Sequence, residues 1–439
     1  MKTLGKLIGW LLLLALVLVG VGLALTHQAA IAPQAAPAPA SFAPLDVERG
    51  RRLAALGDCA VCHTAPGGKP NAGGLAIESP FGAIYATNIT PDVQTGIGSW
   101  SFAAFERAMR HGVDREGRYL YPAFPYTAFT HTTGEDLKAL YAYLMSQPAV
   151  ANDVPKTALK FPYNVRPGIA AWNWLYLRPG DLETQANQSP EWHRGRYLAE
   201  GLGHCSACHT PRNQLGAEQG GEHHFAGSFI DGWDVPALTS ATAAPLPWTQ
   251  EDLVRYMKTG FSERHGVAAG PMGPVIHGLS QQSDEDLRAI ASYLISFKDR
   301  SADQGDAAKF VQQRRDASQV PLDAPGLRVY QGACMGCHRA DAGGVLAASN
   351  FGVRPQLGLS TSLHAKSPTN AIQVVLNGIQ EPALPDLGTM PAFRYTYSDA
   401  QVADLLNTMR GLYGLTPWPD LATQVGRLRE STAHQAPAH

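Results

Sequence analysis

The sequence predicts an all-α protein: three tandem copies of one helical unit behind an N-terminal transmembrane helix. Three observations predict it. A Cys-x-x-Cys-His pattern occurs three times and uses all six cysteines. Polar capping residues ahead of helically spaced apolar runs recur at one place in each copy. An uncharged stretch, Leu7 to Leu25, follows Lys2 and Lys6 at the N-terminus. The chain has 439 residues, 45% of them apolar, which leaves room for several cores. Its formal charge of -2, from 35 basic and 37 acidic side chains, lacks the basic footprint of a nucleic-acid binder.

At about 1.5 Å per helical residue, Leu7 to Leu25 nearly spans a hydrocarbon core, so residues 1–28 read as a membrane anchor. A cleaved signal ending at Ala30-Ile31-Ala32 is the alternative. Either reading places the body on the periplasmic face of a bacterial inner membrane. Residues 29–44, rich in Ala and Pro, read as a semi-extended tether. Three units follow at 45–150, 191–298 and 324–415. They are joined by a connector at 151–190 and a polar linker at 299–323, and a polar tail occupies 416–439.

The repeated pattern stands at Cys59-Ala60-Val61-Cys62-His63, Cys205-Ser206-Ala207-Cys208-His209 and Cys334-Met335-Gly336-Cys337-His338. Two thiols three positions apart can add to the two vinyl groups of a haem, and the next imidazole can reach its iron. A structural zinc site or a redox dithiol also uses Cys-x-x-Cys, but neither requires the histidine. Three matches with no cysteine left over favour three covalently bound c-type haems, with His63, His209 and His338 as iron ligands.

Each motif ends a short helix-like run with a glycine near its start: Gly50, Gly195 and Gly326. Downstream, Trp100 to Gly112 matches Trp248 to Gly260 without a gap, and Pro368 to Gly378 is a looser third copy. A closing helix starts in each copy behind a cap and a residue able to return its hydrogen bond: Thr133 with Asp136, Ser283 with Asp286, Ser398 with Gln401. An all-helical unit of this size and order resembles the class I cytochrome c fold.

In that fold a methionine from the loop after the middle helix usually takes the iron's other side and raises the potential. Met272 stands 12 residues after Gly260, and Met390 stands 12 after Gly378. The resemblance makes both of them ligands. The same count in the first unit lands on Phe124, which cannot ligate iron. Met109, His111 and His131 are the nearby donors; either one of them reaches the iron or the first haem is five-coordinate. The histidines His193, His223, His224, His265, His277 and His364 show no metal-ligand spacing and are expected in surface or capping roles. Carbonyl acceptors for the ligating rings are expected near Pro66 and Pro211. Aromatics concentrate between Pro162 and Leu177, a pattern that suits packing between domains, partner docking or an interfacial membrane contact.

Gly-Ile-Gly-Ser-Trp at 96–100 and Leu-Tyr-Pro-Ala-Phe-Pro-Tyr at 120–126, with the three motifs, resemble the triheme cytochrome c subunits of bacterial membrane-bound dehydrogenases over the whole length after the tether. The resemblance implies a catalytic partner that oxidises an alcohol, sugar acid or aldehyde with a quinone, flavin or molybdenum cofactor. It also implies delivery of the electrons to ubiquinone or a terminal oxidase. Phe124 is closer to the branch paired with molybdenum hydroxylases of aldehydes or nicotinate-like rings. The chain shows no second cofactor motif and no nucleophile-base constellation of its own. The rival readings are a haem enzyme acting at an open first iron and a free-standing electron shuttle.

Overall fold

The computed structural model describes residues 2–298, 305–338, 346–349, 352–380 and 382–432. The 299–304 part of the linker and the end of the tail, 433–439, lie outside the described residues. Backbone contacts divide the chain into two compact units. One holds the chain up to Ala54 together with Cys59–Glu183; the other holds Ala55–Asp58 together with the chain from Thr184 onward.

In the first unit the middle helix is Phe102–His111 and the closing helix Gly134–Ser146. Ser101 and Thr133 cap them by accepting from the amides of Ala104 and Asp136. The second unit contains two further copies. Their middle helices are Gln250–Thr259 and Thr369–Asn377, and their closing helices Asp284–Ile295 and Asp399–Leu412. Ser283 and Ser398 cap the closing helices, and Gln401 completes a capping box by accepting from the Ser398 amide at 2.9 Å. Asp136 and Asp286 turn instead to the leading helix, pairing with Arg49 at 2.6 Å and Arg194 at 2.7 Å.

Leading and closing helices cross at the repeated glycine. A β-carbon at Gly50, Gly195 or Gly326 would stand 2.0, 1.8 or 2.1 Å from the carbonyl oxygen of Ala139, Ala289 or Asp404, so only glycine lets the backbones approach this closely. The apolar stripes of the closing helices then face the core: Leu137, Leu287 and Val402 are fully buried. Leu421–Ser431, in the segment read as a polar tail, is a helix whose Leu421 and Val425 join the core around Leu405 and Leu406.

Two features of the expected fold class are corrected. The protein is not all-α, because short antiparallel hairpins follow the cysteine motifs: Ala76–Ser79 with Gly82–Tyr85, Ser228–Ile230 with Trp233–Val235, and Leu346–Ser349 with Gly352–Arg354. The second hairpin turns through Asp231 and Gly232, both at positive φ (51° and 81°), as a two-residue hairpin loop requires.

The expectation of an N-terminal transmembrane helix also fails. Lys2–Thr26 is helical, but among the described residues no helix is long and apolar enough to cross a membrane. Between Lys6 and Thr26 it offers 19 uncharged residues, with Gly9, Gly20 and Gly22 among them. A span needs roughly 20 predominantly apolar ones. Its last turn is tied to protein, since the Tyr119 hydroxyl donates to the Thr26 carbonyl at 2.9 Å. The Ala/Pro-rich segment behind it lies along the first unit. There Ile31 N donates to Arg115 O at 2.8 Å, and Gln34 N to Ser99 O at 3.0 Å.

Candidate haem sites

The thiols and imidazole of each motif share about one helical turn. Cys59–Cys62 and Cys205–His209 are single-turn helices, and the third motif starts where the π-helical turn Tyr330–Cys334 ends. All six cysteines are free of disulfides. Burial pushes the thiol of Cys205 up to about 12 and that of Cys334 to about 11, so these pockets suit an uncharged sulfur such as a thioether.

The ring acceptors differ from those expected at Pro66 and Pro211. Nδ1 of His63 donates to the carbonyl of Thr87 at 2.6 Å, His209 to that of Pro236 at 2.8 Å, and His338 to that of Pro355 at 3.4 Å. A carbonyl can only accept, so the proton sits on Nδ1 and the Nε2 lone pair is left for a metal. Each acceptor lies just beyond the second hairpin strand, which ends at Tyr85, Val235 or Arg354. Pro66 and Pro211 precede their hairpins and are therefore on the wrong side of the element that does the placing. Asn88, buried beside Thr87, fixes the first acceptor. Its amide donates to the Val150 carbonyl at 2.7 Å and to the Thr95 hydroxyl at 2.9 Å. Burial holds His63 and His209 below the usual histidine value, which keeps them neutral as ligation requires. Among the described residues no three or more His, Cys, Asp or Glu side chains gather as they would around a bare ion. The donor set fits a planar group held by two sulfurs and one imidazole.

The methionines arrive from a separate segment. Middle helices end at Gly112 and Gly260, both left-handed with φ of 61° and 72°. After Gly112, Val113 bridges Tyr119 and Leu120 N donates to Gly112 O at 2.7 Å. After Gly260, Phe261 pairs with Val267 and Ala268 N donates to Gly260 O at 2.8 Å. The offsets from the glycine are the same, so backbone register makes Phe124 the counterpart of Met272. Met272 is half-buried and opens the helix Met272–Ser280. The third copy is built differently. Ile379 bridges Met390 itself, exchanging bonds of 2.9 and 3.0 Å, so the equal count there does not reflect an equal loop.

The donors near the first site are placed as follows. Met109 is buried within the middle helix, as is its counterpart Met257. His111 is exposed at the helix end, and Nδ1 of His131 is held by the Gly180 carbonyl at 2.6 Å. Of the histidines expected in surface or capping roles, one is buried and another partly buried. His265 is buried, stacked on Trp248 at 3.7 Å and 3.5 Å from Asp252. His224 donates to Glu200 at 2.8 Å, and the Tyr293 hydroxyl donates to the same carboxylate oxygen. In the connector, Trp172 packs on Tyr126, whereas Phe161 and Trp174 are 80% and 81% exposed.

Comparison with known proteins agrees with this geometry. Residues 47–148 and 193–298 match the cytochrome c family model, and residues 321–407 match that of cbb3-type cytochrome c oxidase subunit III. The chain is 48% identical to a nicotinate dehydrogenase subunit of Pseudomonas putida over 92% of its own length, but spans only 34% of that protein. It is 39% identical to the gluconate 2-dehydrogenase cytochrome c subunit of Pantoea cypripedii, covering 84% of this chain and 86% of that one. Identity to the fructose dehydrogenase cytochrome subunit of Gluconobacter japonicus is 35%, over 86% and 81% of the two chains. With attachment motifs, ring acceptors and sequence likeness all in accord, the chain belongs to the family of cytochrome c subunits of dehydrogenases, which carry covalently bound haem c.

Proposed function

We propose that the chain conducts electrons through three haems on the periplasmic side of a bacterial inner membrane. It takes them from a catalytic dehydrogenase chain and delivers them to ubiquinone or a terminal oxidase at that membrane. A bound haem supplies a one-electron couple whose potential follows its axial ligands and surroundings. The haems attach at Cys59 and Cys62, Cys205 and Cys208, and Cys334 and Cys337. His63, His209 and His338 hold the irons, joined by Met272 and Met390 in the second and third copies.

The observation that carries this reading is the threefold repetition of an Nδ1-to-carbonyl bond at the end of a hairpin, which prepares three imidazoles in one way for one task. Likeness to the Pseudomonas nicotinate dehydrogenase chain supports a partner that oxidises a nicotinate-like ring, the chemistry of a molybdenum hydroxylase. Purification from native membranes in mild detergent, with mass spectrometry and a haem assay, tests both parts. Three haems per chain and a stoichiometric dehydrogenase chain are expected. Repeated recovery of the cytochrome alone would count against the complex, and a lower haem number against the wire.

A further inference from the structure

We infer that the iron of the first haem receives no sixth ligand from the protein and that its free face admits a small uncharged diatomic molecule, with carbon monoxide as the probe. The inference rests on the reading that Cys59, Cys62 and His63 hold a haem.

Backbone register places Phe124 where the second copy has Met272, by the same bridge and the same bond back to the helix-ending glycine. Residues 112–130 contain no Met, His, Cys or Lys; His131 follows them with its Nδ1 donating to the Gly180 carbonyl at 2.6 Å, and a bis-histidine spectroscopic signature at the first haem would overturn the inference. Their tyrosines are engaged elsewhere. The Tyr119 hydroxyl donates to Thr26, that of Tyr126 donates to Asn173 Oδ1 at 2.6 Å, and the Tyr121 ring lies under the Arg166 guanidinium at 4.5 Å. Met109 packs as Met257 does in a copy that has its own methionine, so its burial is part of the shared fold.

The loop is also held from outside, by the connector. Arg166 donates to the Tyr119 carbonyl at 2.6 Å, Asn173 donates to the His111 carbonyl at 3.3 Å, and Trp172 packs edge-on against Tyr126. These contacts hold the loop between the middle helix and Tyr126 at the Tyr119 carbonyl and at both flanking helices. Phe124 rests on Phe129 at 5.3 Å and on Tyr126 at 6.3 Å between ring centroids, an aromatic wall. Apolar diatomics suit such a wall.

The test is carbon monoxide titration of the reduced chain, read as haem absorbance, with wild type, Phe124→Met and Phe124→Leu side by side. Phe124→Met is expected to remove one carbon monoxide-binding haem per chain, weakening that site at least tenfold. It should also add methionine-to-iron charge-transfer absorption in the oxidised form, while Phe124→Leu leaves binding intact. Equal uptake by wild type and Phe124→Met would overturn the inference. Should the methionine variant not fold, magnetic circular dichroism of the oxidised wild type decides. A high-spin or water-ligated third of the haem supports the inference; three low-spin haems with two protein ligands each, or a tyrosinate band, overturn it. Haem assay of Cys59→Ala/Cys62→Ala isolates the underlying reading, which fails if the variant loses no haem.

Discussion

Asp58 shows how burial acts on a single residue beside the second site. Its carboxyl lies against Gly278, where a β-carbon would come within 3.2 Å of Oδ1, and burial pushes it up to about 7. The unfolded chain releases this proton near pH 4, so between about pH 4 and 7 the folded state binds more protons than the unfolded one. Stability therefore falls as pH rises through that window and stays reduced above it. Asp58→Asn, which also tolerates the positive φ of 50°, should stabilise the protein by about 2 kcal/mol at pH 8 and by nothing measurable at pH 4. Denaturant melts of both proteins at the two pH values measure it; an equal gain at each would sink the assignment. Residues of this kind are hard to read from sequence, because their state depends on neighbours brought from far along the chain. The pattern at Cys59, His63 and their repeats was legible for the opposite reason: its spacing is local to five consecutive residues. Thr87 and Pro236 were not, since a backbone carbonyl acts without regard to the side chain that bears it.

Among the elements, helices were read better than strands. The caps at Thr133, Ser283 and Ser398 stand where the polar residues predicted them, because a cap is a local hydrogen bond between near neighbours. The hairpins were missed: strands of three or four residues give too few alternations to register, although Asp231-Gly232 carried a turn signal. The helix crossings divide two kinds of damage. Gly195→Ala would drive a β-carbon to 1.8 Å from the Ala289 carbonyl and should cost about 3 kcal/mol or more by forcing the leading and closing helices apart. Ser398→Ala removes one cap and should cost about 1 kcal/mol. Thermal melts of the two variants, followed by circular dichroism, should rank them in that order; the reverse ranking would show that the crossing is not as tight as its geometry.

At the scale of the whole molecule, three sequence copies form two compact units. The second and third copies are joined by the side of a hairpin. Asp234 N donates to Asn370 Oδ1 at 2.9 Å, Asn370 Nδ2 returns to Asp234 O at 2.7 Å, and Gln373 Nε2 donates to Gly232 O at 3.0 Å. Leu387 and Ala383 of the third copy also close over Gly260 of the second. Calorimetry of the haem-loaded protein should show two unfolding transitions. Asn370→Ala, which removes two of these bonds and about 2 kcal/mol, should split one of them. Three transitions in the unmodified protein would mean the copies melt independently.

The hairpin acceptors have a consequence for how such a protein changes over generations. No codon specifies the carbonyl of Thr87, Pro236 or Pro355, so a single substitution cannot delete the group that receives each ring's hydrogen. Drift in the basicity of these imidazoles must come through insertions, deletions or altered turns in the preceding ribbon. The side chains at 272 and 124, methionine and phenylalanine, are by contrast only a few nucleotides apart. The lineage is thus free to exchange the residue at 124 or 272 while the ring acceptors stay sheltered from mutation.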